Sequence, residues 1–126
     1  MQLTMLKSKI HRGRVTECNI DYEGSIEVDE DLLDAAGILT YEQVHVFNIN
    51  NGNRFVTYAI PGKRGKGGIM VNGAAARLAQ INDRIIIVAY GIMEPKDLKG
   101  FKPRIIVLDK NNKILKKRTS EKGLFP

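Results

Sequence analysis

At 126 residues the chain has room for one domain with a modest core and not comfortably for two. Its 43% hydrophobic and 27% charged content is that of an ordinary soluble globular protein, and with no Trp and 6% aromatics it has little from which to build a base-stacking surface. The formal charge of +6 gathers at one end, where residues 110–126 hold six Lys or Arg against Glu121 alone, so it reads as a solvated, frayed basic tail rather than a nucleic-acid face.

The N-terminal stretch is too charged, and its apolar runs are too short, for a signal peptide or a membrane span, which predicts a cytoplasmic protein. Residues 2–18 alternate around Ile10, Val15 and Thr16 and predict one or two strands broken near Gly13. Cys18 is the only cysteine and has no internal disulfide partner. Tyr22-Glu23-Gly24-Ser25 reads as a tight bend leading into a short strand at Ile26-Glu27-Val28. Residues 29–37 predict a short helix, with Asp29 as its N-cap, acids in the first turn and Gly37 as a left-handed stop.

Residues 43–50 and 54–60 predict a hairpin turned at Asn51-Gly52, both of which tolerate positive φ. Residues 61–68 are basic and rich in glycine. No Ser or Thr follows a Gly-Lys pair there, so the segment is read as a mobile loop and not a phosphate cradle. A short strand at 69–71, a turn at Asn72-Gly73 and an Ala-rich helix over 74–80 follow. The apolar run Ile85-Ile86-Ile87-Val88 predicts a central strand within 84–90. A further strand at 104–108 turns at Asn111-Asn112 and pairs back over 113–115. Many short strands with two small helices in so short a chain predict a closed or nearly closed β-barrel.

Motifs for other chemistry are missing. His11 and His45 are the only histidines and have no metal-ligand spacing with Cys18, and neither Gly-x-Ser-x-Gly nor a dinucleotide fingerprint occurs. No metal is expected. Of the three serines, Ser25 stands directly behind Gly24, a pairing that on its own is an ordinary turn.

Five blocks taken together say more. Residues 5–12 (MLKSKIHR), 22–25 (YEGS), 34–38 (DAAGI), 51–60 (NGNRFVTYAI) and 71–76 (VNGAAA), in this order and separation, resemble the pyruvoyl-dependent aspartate 1-decarboxylase family. They span most of the chain up to Met93, and the ordered set is far more specific than any one block.

The resemblance implies a mainly β fold, a six-stranded double-psi β-barrel with short helices in one domain over 1–126. It implies self-cleavage at Gly24-Ser25 into a β chain, 1–24, and an α chain, 25–126. It implies decarboxylation of L-aspartate to β-alanine for pantothenate synthesis. The cofactor would be a covalent pyruvoyl group made from Ser25, with no pyridoxal phosphate. Family members are typically tetramers of four α and four β chains, with active sites between subunits; nucleic acid and membrane are not expected partners.

Carried residue by residue, the resemblance places Gly24, Ser25 and Thr57 in the self-processing step, and Ser25 and Tyr58 in catalysis. It places Lys9, Arg54, Thr57, Asn72, Gly73, Ala74 and Ala75 around the substrate. Glycine before the cut lacks a Cβ that would block attack by the serine hydroxyl, and Thr57 would stabilise the oxyanion. The pyruvoyl carbonyl would take the electron pair released as CO₂ leaves, and Tyr58 would return a proton to the α-carbon. Arg54 offers a planar bidentate partner for a carboxylate, and Lys9 a second cation. Tyr22 would shape the cut site or simply pack. Phe47 stands where some relatives carry Trp, a departure that concerns the pocket wall.

On a regular strand Arg54 and Tyr58 share one face and Thr57 takes the other. Either a bulge or a site between subunits would reconcile them. Two further readings compete: a pyruvoyl decarboxylase for another amino acid such as glutamate, and a basic barrel that binds nucleic acid, supported by charge alone. A scaffold that never cuts itself is the third.

Overall fold

The structure, a computed structural model, describes residues 1–121. Nine strands form one continuous ladder: β1 Leu3–Arg14, β2 Glu17–Asn19, β3 Ile26–Asp29, β4 Gln43–Asn48, β5 Arg54–Gly62, β6 Ile69–Asn72, β7 Arg84–Met93, β8 Arg104–Leu108 and β9 Ile114–Arg118. One helix, α1 (Glu30–Ala36), and two 3₁₀ turns, Gly73–Leu78 and Pro95–Asp97, complete the described elements. The mainly β class with short helices is therefore as expected.

The ladder runs β2-β6-β3-β5-β4-β7-β1-β8-β9, and its ends, β2 and β9, do not pair with one another among the described residues. It is nevertheless strongly curled. β1 and β2 stand seventh and first in this order yet are joined by Val15 and Thr16 alone. A flat sheet would separate these places by about 29 Å, whereas the connection spans about 11 Å at most. Thr16 closes the gap: its N–H and its hydroxyl donate to the Ile69 carbonyl at 2.8 and 3.0 Å, and the Ile69 N–H donates to Thr16 Oγ1 at 2.9 Å. The curl wraps one core of aliphatic side chains, among them Ile10, Ile26, Val44, Val46, Val71, Ile85 and Ile87, each 0% exposed.

α1 begins and ends where its residues dictate. The Asp29 side chain accepts from the Asp31 N–H at 2.8 Å, and Gly37 adopts φ +73 at the C-terminus. The loop over 61–68 departs from expectation. β5 extends through Pro61-Gly62, and the loop is tied down. Arg64 pairs with Asp31 and Asp34 at 2.7 Å each and with Glu30 at 3.3 Å. The buried Asp29 carboxylate accepts from the N–H groups of Gly65 and Gly67 at 3.2 and 2.8 Å. The helix acids supply this anchor, a long-range pairing with no local signal.

Smaller differences follow the same logic. The hairpin between β4 and β5 has a longer loop, 49–53, in which Gly52 but not Asn51 takes positive φ. The Ala-rich helix expected over 74–80 is present as a 3₁₀ turn over Gly73–Leu78. The basic segment is partly structured, since β9 pairs antiparallel with β8 over 114–118; residues 122–126 lie outside the described part.

Candidate active site

β3 lies between β5 and β6, with Ile26 opposite Ala59 on one side and Val71 on the other. Ser25, immediately before β3, is therefore flanked by residues 57–58 and by Asn72. The Asn72 N–H donates to the Ser25 carbonyl at 2.8 Å. Gly24, Ser25, Thr57, Tyr58 and the run from Asn72 to Ala75 line one cavity of about 350 Å³. Ser25 is 9% exposed.

Glycine is required at two points here. Gly24 has φ +89, and an added Cβ would stand 2.7 Å from Ile60 Cδ1. A non-glycine residue in the left-handed region pays about 1–2 kcal/mol. Gly73, with φ +62, turns its bare Cα toward the bend, so that a Cβ would lie 3.7 Å from both the Gly24 and the Tyr22 carbonyl oxygens. The carbonyl that precedes Ser25 is thus covered by a residue without a side chain.

Asn72 is the least satisfied group in the site. It is 1% exposed, and neither its Nδ2 nor its Oδ1 has a partner among the described residues. It stands at the start of the 3₁₀ turn, yet its side chain does not cap that turn. A buried amide without partners costs about 1–3 kcal/mol, a cost that a ligand supplying partners would remove.

Tyr58 and Gly24 also border a second, wider hollow of about 860 Å³ with Tyr22, Tyr41 and Ile60. Tyr58 is 40% exposed and stacks obliquely on Tyr41 at 6.1 Å. Tyr22, 49% exposed, lines this hollow beside the bend and is not packed into the core.

Lys9 and Arg54 are not brought to Ser25. The β4–β5 register runs unbroken from Gln43 opposite Tyr58 to Phe47 opposite Arg54. No bulge intervenes, so that route to uniting Arg54, Tyr58 and Thr57 is closed. Thr57 faces inward opposite the buried Val44. Arg54, Val56 and Tyr58 face out. The same outer face continues across the ladder, because Val56 pairs with His45, His45 with Val88 and Val88 with Lys9. Arg54 lies over the Phe47 ring at 4.8 Å, and Tyr90 meets His45 edge-on at 5.1 Å. Lys9 pairs with Glu121 at 3.1 Å and shares a separate hollow with His11, Arg12 and Arg118.

Burial, and then the charges of Lys9 and Arg12, hold the His11 imidazole below its ordinary value. Burial pushes the Cys18 thiol up, which makes it a poor nucleophile. Among the described residues no three His, Cys, Asp or Glu side chains converge as metal ligands, and no helix is long and apolar enough to cross a membrane. Phe55, Val56 and Leu78 complete the wall of the Ser25 cavity. Phe55 was legible as sharing the Thr57 face; Leu78 carried no signal.

Comparison with known proteins identifies the family. The family model described as aspartate decarboxylase matches residues 1–115. An aspartate 1-decarboxylase of Carboxydothermus hydrogenoformans is 57% identical over 96% of this chain and 95% of its own length. That of Albidiferax ferrireducens is 56% identical, covering 94% and 88%. That of Thermoanaerobacter pseudethanolicus is 56% identical, covering 90% and 97%. With a family model spanning most of the sequence and relatives this similar from end to end, the chain belongs to the aspartate decarboxylase family.

Proposed function

We propose that the chain cuts itself between Gly24 and Ser25 and then decarboxylates L-aspartate to β-alanine, feeding pantothenate synthesis in the cytoplasm. One observation carries this reading: a bend of left-handed glycine followed by a sheltered serine opens on a cavity shared with Thr57, Tyr58 and a buried amide that has no partner among the described residues.

In the first step the Ser25 hydroxyl attacks the Gly24 carbonyl, converting the amide to an ester. Gly24 leaves the approach free of a Cβ, Gly73 supplies the left-handed turn beside the carbonyl, and Thr57 donates to the oxyanion. β-Elimination expels the β chain, 1–24, as its C-terminal carboxylate and leaves dehydroalanine at position 25; water then displaces its nitrogen as ammonia, and the α chain, 25–126, begins with a pyruvoyl group.

The site suits that group, because residue 25 lies in a sheltered hollow where the polar Thr57 and Asn72 and the small Gly73, Ala74 and Ala75 stand beside the apolar Phe55, Val56 and Leu78. When formed, the pyruvoyl carbonyl supplies the electron sink that decarboxylation needs. The protein's own side chains do the rest. Asn72 hydrogen-bonds the substrate, and Gly73, Ala74 and Ala75 let it approach the backbone. Tyr58, poised between the two hollows, delivers a proton to the α-carbon. Arg54 and Lys9 hold carboxylate.

Lys9 and Arg54 share the outer sheet face, away from Thr57, so the site we infer is completed by a second copy of the chain. Exposed apolar groups on that face, including Val56, Tyr90 and Ile92, support a homotetramer of processed protomers.

Intact-mass spectrometry tests the reading. The purified protein should give two pieces, the larger with a pyruvoyl N-terminus, and should release β-alanine from aspartate. Ser25→Ala should remain one inactive chain. An uncut chain with full activity would refute the mechanism.

A further inference from the structure

A further polar hollow stands apart from Ser25 and shares only Arg12 with the hollow that holds Lys9. Relative to β7, β1 carries an extra residue between Ile10, opposite Ile87, and Gly13, opposite Ile85. Arg12 sits in this bulge at φ +66. That conformation costs a non-glycine residue about 1–2 kcal/mol, and bulges re-aim the side chains they carry. Strain of this kind is maintained where the surroundings over-determine it.

Two residues on, the Arg14 backbone is clamped by a buried asparagine. The Arg14 N–H donates to Asn112 Oδ1 at 2.8 Å, and Asn112 Nδ2 donates to the Arg14 and Gly67 carbonyls at 2.9 and 2.7 Å. Arg14 is therefore held in place, yet its Nε is buried with no acceptor among the described residues. A guanidinium N–H in that condition calls for an anion.

Arg12, Arg14, Arg84 and Lys110 line one cavity of about 460 Å³. None of them forms an ion pair among the described residues. The one acid in the wall, Asp109, is already committed: its Oδ1 accepts from the N–H groups of Asn111 and Lys113 at 2.8 and 2.9 Å to shape the β8–β9 turn. Asp109 offsets one of these four charges, and the excess that is left repels itself unless a counter-charge enters. The volume is that of a small-molecule site, larger than a lone oxyanion requires. Planar guanidinium forks match phosphate oxygens two at a time.

We propose that this cavity binds a small metabolite through its pyrophosphate group. The site would be distinct from the decarboxylation site, and its test does not depend on self-cleavage.

Titration calorimetry of the full chain with inorganic pyrophosphate, at physiological salt, is the direct test. One pyrophosphate per protomer should bind, and Arg84→Gln and Arg14→Gln should each weaken it at least tenfold with unchanged melting temperature. Arg84 lies on a different strand from the clamp, so its variant serves if Arg14→Gln folds poorly. Absence of binding would overturn the proposal. So would equal binding by wild type and both variants, which would mark an adventitious ion only. Displacement of pyrophosphate by an oligonucleotide of higher affinity would also overturn it, in favour of a nucleic-acid surface.

Discussion

The backbone N–H of Asn72 donates to the Ser25 carbonyl at 2.8 Å, while the side-chain amide of the same asparagine is buried and bonds to nothing among the described residues. One residue thus fixes the serine through its main chain and holds its side chain in reserve. Asn72→Ala should keep the main-chain bond and remove an unsatisfied amide. Its melting temperature should stay level or rise, while KM for aspartate rises at least tenfold, about 1.4 kcal/mol. Melting curves and steady-state kinetics together check this; a fall in melting temperature with unchanged KM would assign the amide a packing role instead.

Gly24→Ala places a Cβ where φ is +89 and Ile60 Cδ1 is 2.7 Å away. The isoleucine tip can swing aside, so the backbone conformation is the harder obstacle. The variant should lose about 1–2 kcal/mol of stability and remain largely uncut by intact mass.

The outer face of β5, β4 and β7 tests assembly. Tyr90 is 40% exposed there beside His45. On the proposed assembly, Tyr90→Asp should shift the protein from tetramer to smaller species in light scattering, and activity should fall with it, because Lys9 and Arg54 would lose the Ser25 cavity the proposal assigns them to.

Asp29 is 3% exposed and accepts from three N–H groups, at Asp31, Gly65 and Gly67. Asp29→Ala removes a helix cap and leaves two loop donors unpaired. A loss of about 2–4 kcal/mol in urea unfolding is expected, with Asp29→Asn retaining part of it.

His11 carries a pH signature. Burial, Lys9, Arg12 and Arg118 all lower its pKa in the folded state, against the opposing charge of Glu121. The unfolded chain therefore binds the proton more readily than the folded one. The contribution is intact above the ordinary value of 6.5 and is lost as pH falls through the lowered folded value. Melting temperature should decline on acidification below pH 6.5, and His11→Gln should flatten that decline.

Local chemistry made some of this molecule readable. Asp29 and Gly37 bracket α1 because capping and left-handed termination act within a few residues. The alternation from Arg54 to Tyr58 correctly separated Thr57 from its neighbours. What local patterns did not reveal was pairing across the chain. Nothing near Arg64 announces three acids on α1, and nothing near Lys9 announces that it shares a sheet row with Val56 three strands away. The break predicted near Gly13 is present as the bulge between Ile10 and Gly13, but nothing local announces that Arg12, not the glycine, takes the positive φ. Register, set by the packed core, decides all three. The ordered motif blocks pointed to the family, and three of them, distant in sequence, supply all the residues but Leu78 that line the Ser25 cavity.

β1 is hydrogen-bonded along both edges, to β7 and to β8. A break after Gly24 would therefore sever the backbone without setting anything loose, since the short fragment is an interior stave of the wall. The two pieces should melt in a single transition, and the nicked enzyme should outlast gel filtration as one particle. Only denaturant, by prising open a ladder on each flank at once, would part the fragment from the body that its own chemistry had cut it from.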